Sequence, residues 1–115
     1  MALETPIWNL SLEAASDLSS NQYYAAVVNS SGKAALAGAG AKIIGVIQNA
    51  PIAGEAAAVM VLGRTKGIAG AAVTTGNELE IDANGRFIPL STGTSVGFAL
   101  EDATAAGDII SVVLK

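Results

Sequence analysis

Histidine and cysteine are both absent from the 115 residues. Their absence removes the Ser-His-Asp triad, the cysteine nucleophile and the usual zinc ligand sets. It also removes any disulfide framework, so nothing staples a small core. Aromatic residues are scarce at 4%, with one Trp, two Tyr and two Phe. The hydrophobic fraction is still 51%, supplied mainly by Ala, Val, Ile and Leu, beside 13 Gly. A mean hydropathy of +0.51 is too apolar for a disordered chain. The length suits one domain with one modest core. A core so poor in large side chains gains by burying surface against further copies, so self-association is expected.

Basic charge is sparse too. Six Lys and Arg face ten Asp and Glu, for a net charge of −4. The basic residues Lys33, Lys42, Arg64, Lys66, Arg86 and Lys115 are scattered. Nucleic-acid binding needs a basic stripe to neutralise phosphates, and none is visible. The longest apolar region, residues 34–62, is cut by Lys42, Gln48, Asn49, Pro51 and Glu55. A helical membrane span needs about 20 uninterrupted apolar residues, so no membrane partner is expected. The opening MALETPIWNL carries Glu4 and no basic residue, and does not read as a secretory leader.

Several stretches imitate sites without meeting their geometry. GAGAKIIG (38–45) lacks dinucleotide-loop spacing and no long helix follows it. GRTKG (63–67) lacks P-loop spacing. Glu78, Glu80 and Asp82 share one face of a strand and could hold Ca²⁺, but a solvated, charged strand face is the expectation. Glu101 and Asp102 read as turn residues. No catalytic, cofactor-binding or metal-ligating residue is expected, and no enzyme.

What is present is a pattern of short strands and glycines. Leu10, Leu12 and Ala14 alternate with Ser11 and Glu13, a period of two. YYAAVV, KAAL, KIIGVIQ, EAAAVMVL and RTKGI follow, separated by Gly or Asn-Ser-Ser-Gly. Asn84-Gly85 is the strongest hairpin signal, between ELEID and RFIPL. No segment shows a helical period. The expected class is all-β: a small β-barrel or sandwich of roughly ten strands.

The chain also repeats itself. VVNSSGKAALAGAGAKIIGVIQNA aligns with EIDANGRFIPLSTGTSVGFALEDA. Gly32 meets Gly85, Lys33 meets Arg86, Gly40 meets Gly93 and Gly54 meets Gly107, each 53 residues on; Gly45 meets Gly97, 52 on. Matched glycines imply matched backbone. The domain is therefore read as two similar β-units, about 27–61 and 80–114, within residues 10–115, preceded by an extended arm of residues 1–9.

Two features read as interaction sites. Trp8 stands in a terminal segment between Ile7 and Asn9, close to Pro6, and exposed Trp is the residue most enriched at binding hot spots. A lid role for Trp8 on its own barrel is equally open. Tyr23 and Tyr24 are adjacent in a strand and face opposite ways, one toward a core and one toward a rim or subunit interface.

DLSSNQYYAAVV, GVIQNAPIAGEAAAVMVLG, AGAAVTTGNELEIDANGRFIPL and GFALEDATAAGDIISVVL, in this order and spacing, resemble the small capsid decoration, or cement, proteins of tailed bacteriophages. The resemblance covers residue 7 to the end. It implies a β-barrel-like homotrimer on the outer surface of the virion capsid. At threefold and quasi-threefold positions, such a trimer would clamp neighbouring subunits of the major capsid protein against the pressure of packaged DNA. The capsid-binding arm would then be Thr5, Pro6, Ile7, Trp8 and Leu10, with Tyr23 and Tyr24 at a possible subunit interface. Two readings from other classes stand beside it. A lipoyl- or biotinyl-like carrier domain shares the size, the duplication and the Gly-acid turns, with Lys33 near a turn but in neither usual sequence context. A fibre or adhesin subunit would polymerise without closing.

Overall fold

The computed structural model describes residues 5–114. Among these the protein is all-β, with nine strands and no helix. They are β1 (Thr5–Glu13), β2 (Ala25–Val28), β3 (Ala34–Leu36), β4 (Gly45–Ile47), β5 (Ala56–Ile68), β6 (Glu78–Ile81), β7 (Phe87–Pro89), β8 (Gly97–Ala99) and β9 (Ile109–Leu114). The sequence pattern suggested about ten. The difference is Gly63, which reads as a break between EAAAVMVL and RTKGI. Its φ of 122° bends the chain without ending the strand, so both segments form the 13-residue β5.

The sheet runs β3-β2-β4-β5-β9-β8-β6-β7, with β1 on the free side of the first half of β5. Its registers fall into two matching sets. Val27 pairs with Ala35 in β2–β3, and Glu80 pairs with Ile88 in β6–β7. Ala26 pairs with Gly45, and Leu79 with Gly97. Ile47 pairs with Val59, and Ala99 with Val112. The match extends upstream of the repeat seen in the sequence. β1 meets β5 through Asn9↔Met60 to Glu13↔Ala56, as β5 meets β9 through Arg64↔Val113 to Ile68↔Ile109. The second half of β5 therefore stands to unit 2 as β1 stands to unit 1. Each unit curls until its outer strands touch at one parallel bridge, Ala14–Ala34 in unit 1 and Ala69–Phe87 in unit 2. The boundary set between an arm ending at residue 9 and a domain starting at residue 10 falls inside β1.

The hairpin turns match as well. Asn84-Gly85 lies in a three-residue turn closed by the Asp82 N–H donating to Arg86 O, with Gly85 at φ 81°. The other turn is closed by the Asn29 N–H donating to Lys33 O, with Gly32 at φ 76°. A type I turn ending in a left-handed residue demands glycine at that last position. Asp82 and Asn29 each accept two further backbone N–H groups through Oδ1.

One buried cluster fills unit 1: Ala14, Leu18, Ala26, Ala34, Ile47, Ala57 and Val59. Their register counterparts in unit 2, Ala69, Val73, Leu79, Phe87, Ala99, Ile110 and Val112, lie together in the second cluster. That second cluster also takes in Ala25, Val46 and Met60 of unit 1 with Ile81, Val96 and Leu114 of unit 2, so it forms the junction between the units.

Candidate functional site

In an antiparallel sheet, paired residues point to the same side. Along the second half of β5, Gly63, Thr65 and Gly67 are buried, so Leu62, Arg64, Lys66 and Ile68 face outward. Trp8 is paired with Leu62, Val113 with Arg64, Ile109 with Ile68, and Phe98 with Val113. These registers assemble one outer surface across β1, β5, β9 and β8. Trp8, Leu62, Phe98 and Ile109 on it are all exposed, as is neighbouring Leu100, whose N–H donates to Ser111 O. Five of the seven exposed large hydrophobic side chains among the described residues therefore fall on or beside one face. Scattered exposed apolar residues are ordinary, whereas a set gathered on one face is a candidate contact surface.

Cations sit within this face. Arg64 points one Nη at Ser111 Oγ, 3.5 Å away, and its buried Nε has no hydrogen-bond partner among the described residues. Lys66 Nζ lies 5.5 Å from the centroid of the Tyr23 ring, a cation–π contact.

The proposed arm residues lie within β1. Thr5 pairs with Arg64, Pro6 with Gly63, Trp8 with Leu62 and Leu10 with Val59, with irregular register around Ile7. Trp8 is 56% exposed, so it does not close its own barrel as a lid. Residues 1–4 of the arm lie outside the described residues. Leu10 is half-buried.

Tyr23 and Tyr24 are both half-buried, Tyr23 packed against the junction cluster, and neither belongs to a strand. They form a turn instead of continuing β2. Tyr23 has φ 69°, and its register counterpart is Gly76 at φ 90°. A bulky residue in the left-handed region is strained and persists only where its surroundings fix it. Here its N–H donates to Ile47 O, its carbonyl accepts from the Ile68 N–H, and the ring packs on the junction cluster.

The acidic face read on β6 needs correction. Glu80 is not solvated; it is only 4% exposed. The loop of Ser91–Gly93 folds over it, and its Oε1 accepts from the Ser91 N–H at 2.6 Å and the Ser91 hydroxyl at 2.8 Å. The Ser91 hydroxyl bond is the main reason its carboxyl is held below the ordinary glutamate range, aided by the backbone N–H groups of Ser91, Gly93 and Thr92. The same direction holds for Asp102 against the Thr75 N–H and for Asp108 against the Thr104 N–H. A general acid at neutral pH needs the opposite shift; these carboxylates brace turns. Lys33, the candidate for a carrier domain, is paired with Glu13 at 3.0 Å. No group of three or more potential metal ligands occurs among the described residues.

Because folding lowers the Glu80 pKa, its stabilisation is full above the ordinary value and is lost as pH falls through the lowered folded value. Glu80→Gln is expected to lower the melting temperature at pH 7 by several degrees and to flatten its fall below pH 4.5, the ordinary glutamate value. Thermal melts of both proteins from pH 7 to pH 3 test this. Parallel curves at every pH would show that another group sets the acid limb.

A family model described as phage cement protein matches residues 9–114. The matched span opens at Asn9, where the register correspondence of the two units also begins. Among solved structures, the N base of head fiber gp8.5 of bacteriophage phi29 superposes with a TM-score of 0.76. It covers 94% of this chain and 93% of that chain at 20% sequence identity, a likeness of fold. None of the curated proteins compared matches the chain.

Proposed function

The chain belongs to the phage cement protein family, and from that premise we propose that it assembles as a homotrimer that binds the major capsid protein and stiffens its lattice. Family membership makes it a structural protein of the virion, placed on the outer surface of the head. A decoration protein needs surface for its neighbours more than catalytic groups. The observation that carries the reading is the apolar outer face, with Trp8 exposed at its edge in β1. The proposed capsid contact is Thr5, Pro6, Ile7, Trp8 and Leu10, on a strand whose partner β5 braces it from the other side. Three such strands on one trimer act together, and linkage raises affinity by about 10²–10⁴ over one alone. Binding only the assembled shell stabilises that shell by mass action.

Trp8→Ala is expected to cost about 2 kcal/mol per contact, the scale of an interface hot spot. Exposure at Trp8 means the melting temperature of the free protein should barely move. The measurement is occupancy on undecorated heads by sedimentation, beside thermal melting of the free protein. A sharp drop in melting temperature with unchanged occupancy would assign Trp8 to the fold and not to the contact. A fibre subunit is the second reading, favoured by the fold shared with a head fiber base. It predicts open-ended polymers at high concentration where a cement trimer stays closed.

A further inference from the structure

β1 lies along one edge of β5, pairing Asn9 with Met60 and Thr5 with Arg64. A strand has two edges, so β4 and β9 share the other one, where Met60 also pairs with Val46 and Arg64 with Val113. β4 begins at Gly45 and β9 ends at Leu114. The described pairs on that edge stop at Met60 and resume at Arg64, which leaves a seam between the units. The seam also brings Gly40 against Gly93, and the Thr94 N–H donates to Gly40 O.

A cavity of about 130 Å³ opens at this seam, and matched positions of the two units line it. Ile44 and Val96 precede the matched Gly45 and Gly97, and their N–H groups donate to the matched carbonyls of Ala26 and Leu79. Val61 and Leu114 follow the matched Met60 and Val113. These four side chains form an apolar lining in which Val96 and Leu114 are buried. Val61 and Leu62 point to opposite sides of β5, so the cavity is separate from the outer face that carries Trp8.

The rim is not symmetric. Unit 1 places Lys42 and Ile43 where unit 2 places Thr94 and Ser95. Lys33 is paired with Glu13, Arg86 with Asp82, Arg64 with the Ser111 hydroxyl and Lys66 with the Tyr23 ring. Among the described residues, Lys42 is the one cation with no such partner. The Ser95 hydroxyl already donates to Glu78 Oε1 at 3.0 Å, and Glu78 does not line the cavity. The side-chain donors left at the rim are the Lys42 ammonium and the Thr94 hydroxyl.

We propose that this cavity binds a small organic acid. Its carboxylate meets Lys42 and Thr94 at the rim, and a single ring or branched chain lies against Ile44, Val61, Val96 and Leu114. Size sets the class: a dry apolar cavity of about 150 Å³ holds one benzene, and this one is slightly smaller. A bare inorganic anion would leave the apolar lining unfilled. With a net charge of −4, the chain as a whole does not draw anions, so the preference has to come from Lys42. The site does not depend on the capsid contact proposed above.

The test is methyl-resolved NMR of the intact protein at pH 7, titrated with sodium benzoate, with neutral benzamide and with acetate. Benzoate is expected to shift the methyl signals of Ile43, Ile44, Val61, Val96 and Leu114 with a dissociation constant of about 1–10 mM, the range for so small a ligand. Benzamide should bind about fivefold more weakly or worse, the scale of one charge-assisted contact near a surface. Acetate, which lacks the apolar body, should leave these signals in place. Lys42→Gln should erase the preference for benzoate over benzamide while the remaining methyl spectrum stays that of the parent. Lys42 is exposed at the rim, so the variant is expected to fold. Unmoved cavity signals at about 50 mM benzoate, several times the expected constant, would overturn the proposal. So would benzoate shifts gathered instead around Leu62 and Ile109 on the outer face. Equal binding of benzamide, or a Lys42→Gln protein that still prefers benzoate, would overturn the carboxylate assignment and the proposal with it.

Discussion

Phe87→Ala is expected to destabilise the protein by about 4 kcal/mol, within the usual range for emptying a buried aromatic site. Phe87 has the largest fully buried side chain described here, and it is the centre of unit 2. Its ring lies against Gly67, where an added Cβ would sit 2.8 Å from Phe87 Cε2. Its backbone closes the unit through the bridge to Ala69 and through its carbonyl, which accepts from the Gly70 N–H. Gly67 against the ring and Ala69 at the bridge carry little or nothing that could refill the space, and the larger neighbour Ile81 is held in β6 as the cross-strand partner of Phe87. In a chain of this length the loss translates to a fall in melting temperature of roughly 15 °C or more. Urea unfolding at fixed protein concentration measures it, since association shifts apparent stability by mass action. A loss under about 1 kcal/mol would mean that unit 2 collapses onto the vacancy, against the close packing described.

The same ring explains what the sequence hid. The all-β class was legible because Ala, Val and Ile alternate with polar residues between glycines. The repeat was legible from residue 27 onward because turn glycines cannot be exchanged freely. Its first strand was not legible. Asn9–Glu13 and Arg64–Ile68 occupy the same place in the two units, yet no residue is shared between them. The cause is compensation in volume. Unit 2 pairs a bulky Phe87 with Gly67, whereas unit 1 puts small Ala34 where Phe87 stands and Leu12 where Gly67 stands, with Leu12 packed on that core. Total filling is kept while residue identity is lost. The interaction face was half legible. Trp8 stands out in a short polar segment, but Leu62, Phe98 and Ile109 sit in strands where an apolar residue reads as core. Only the register shows that they point outward. Glu80 misleads for the converse reason: alternation placed it on the outer side of β6, and the loop that covers it is 11 residues away.

Gly97→Ala and Gly45→Ala are each expected to destabilise by about 3 kcal/mol, at the upper end of the cost of forcing an extra carbon into a packed site. The two glycines are register counterparts, each where a three-residue strand lies over the long strand beside it. A Cβ at Gly97 would strike the carbonyl oxygen of Val113, with Val113 C at 3.1 Å and Leu114 Cα at 3.3 Å. A Cβ at Gly45 would strike the carbonyl oxygen of Met60, with Val59 Cγ1 at 2.8 Å. Both obstacles are backbone, so no rotamer change relieves them. Relief requires β8 to lift from β9, or β4 from β5, and those strands carry the pairs Ala99↔Val112 and Ile47↔Val59 that seat both cores. Because unit 1 has the smaller core, the loss of β4 pairing is the harder one to absorb, and Gly45→Ala should be the worse of the two. Each should lower the melting temperature by more than about 10 °C. A variant within about 0.5 kcal/mol of the parent would show that the short strand can shift along its neighbour. The close approach would then not be what fixes glycine at both positions.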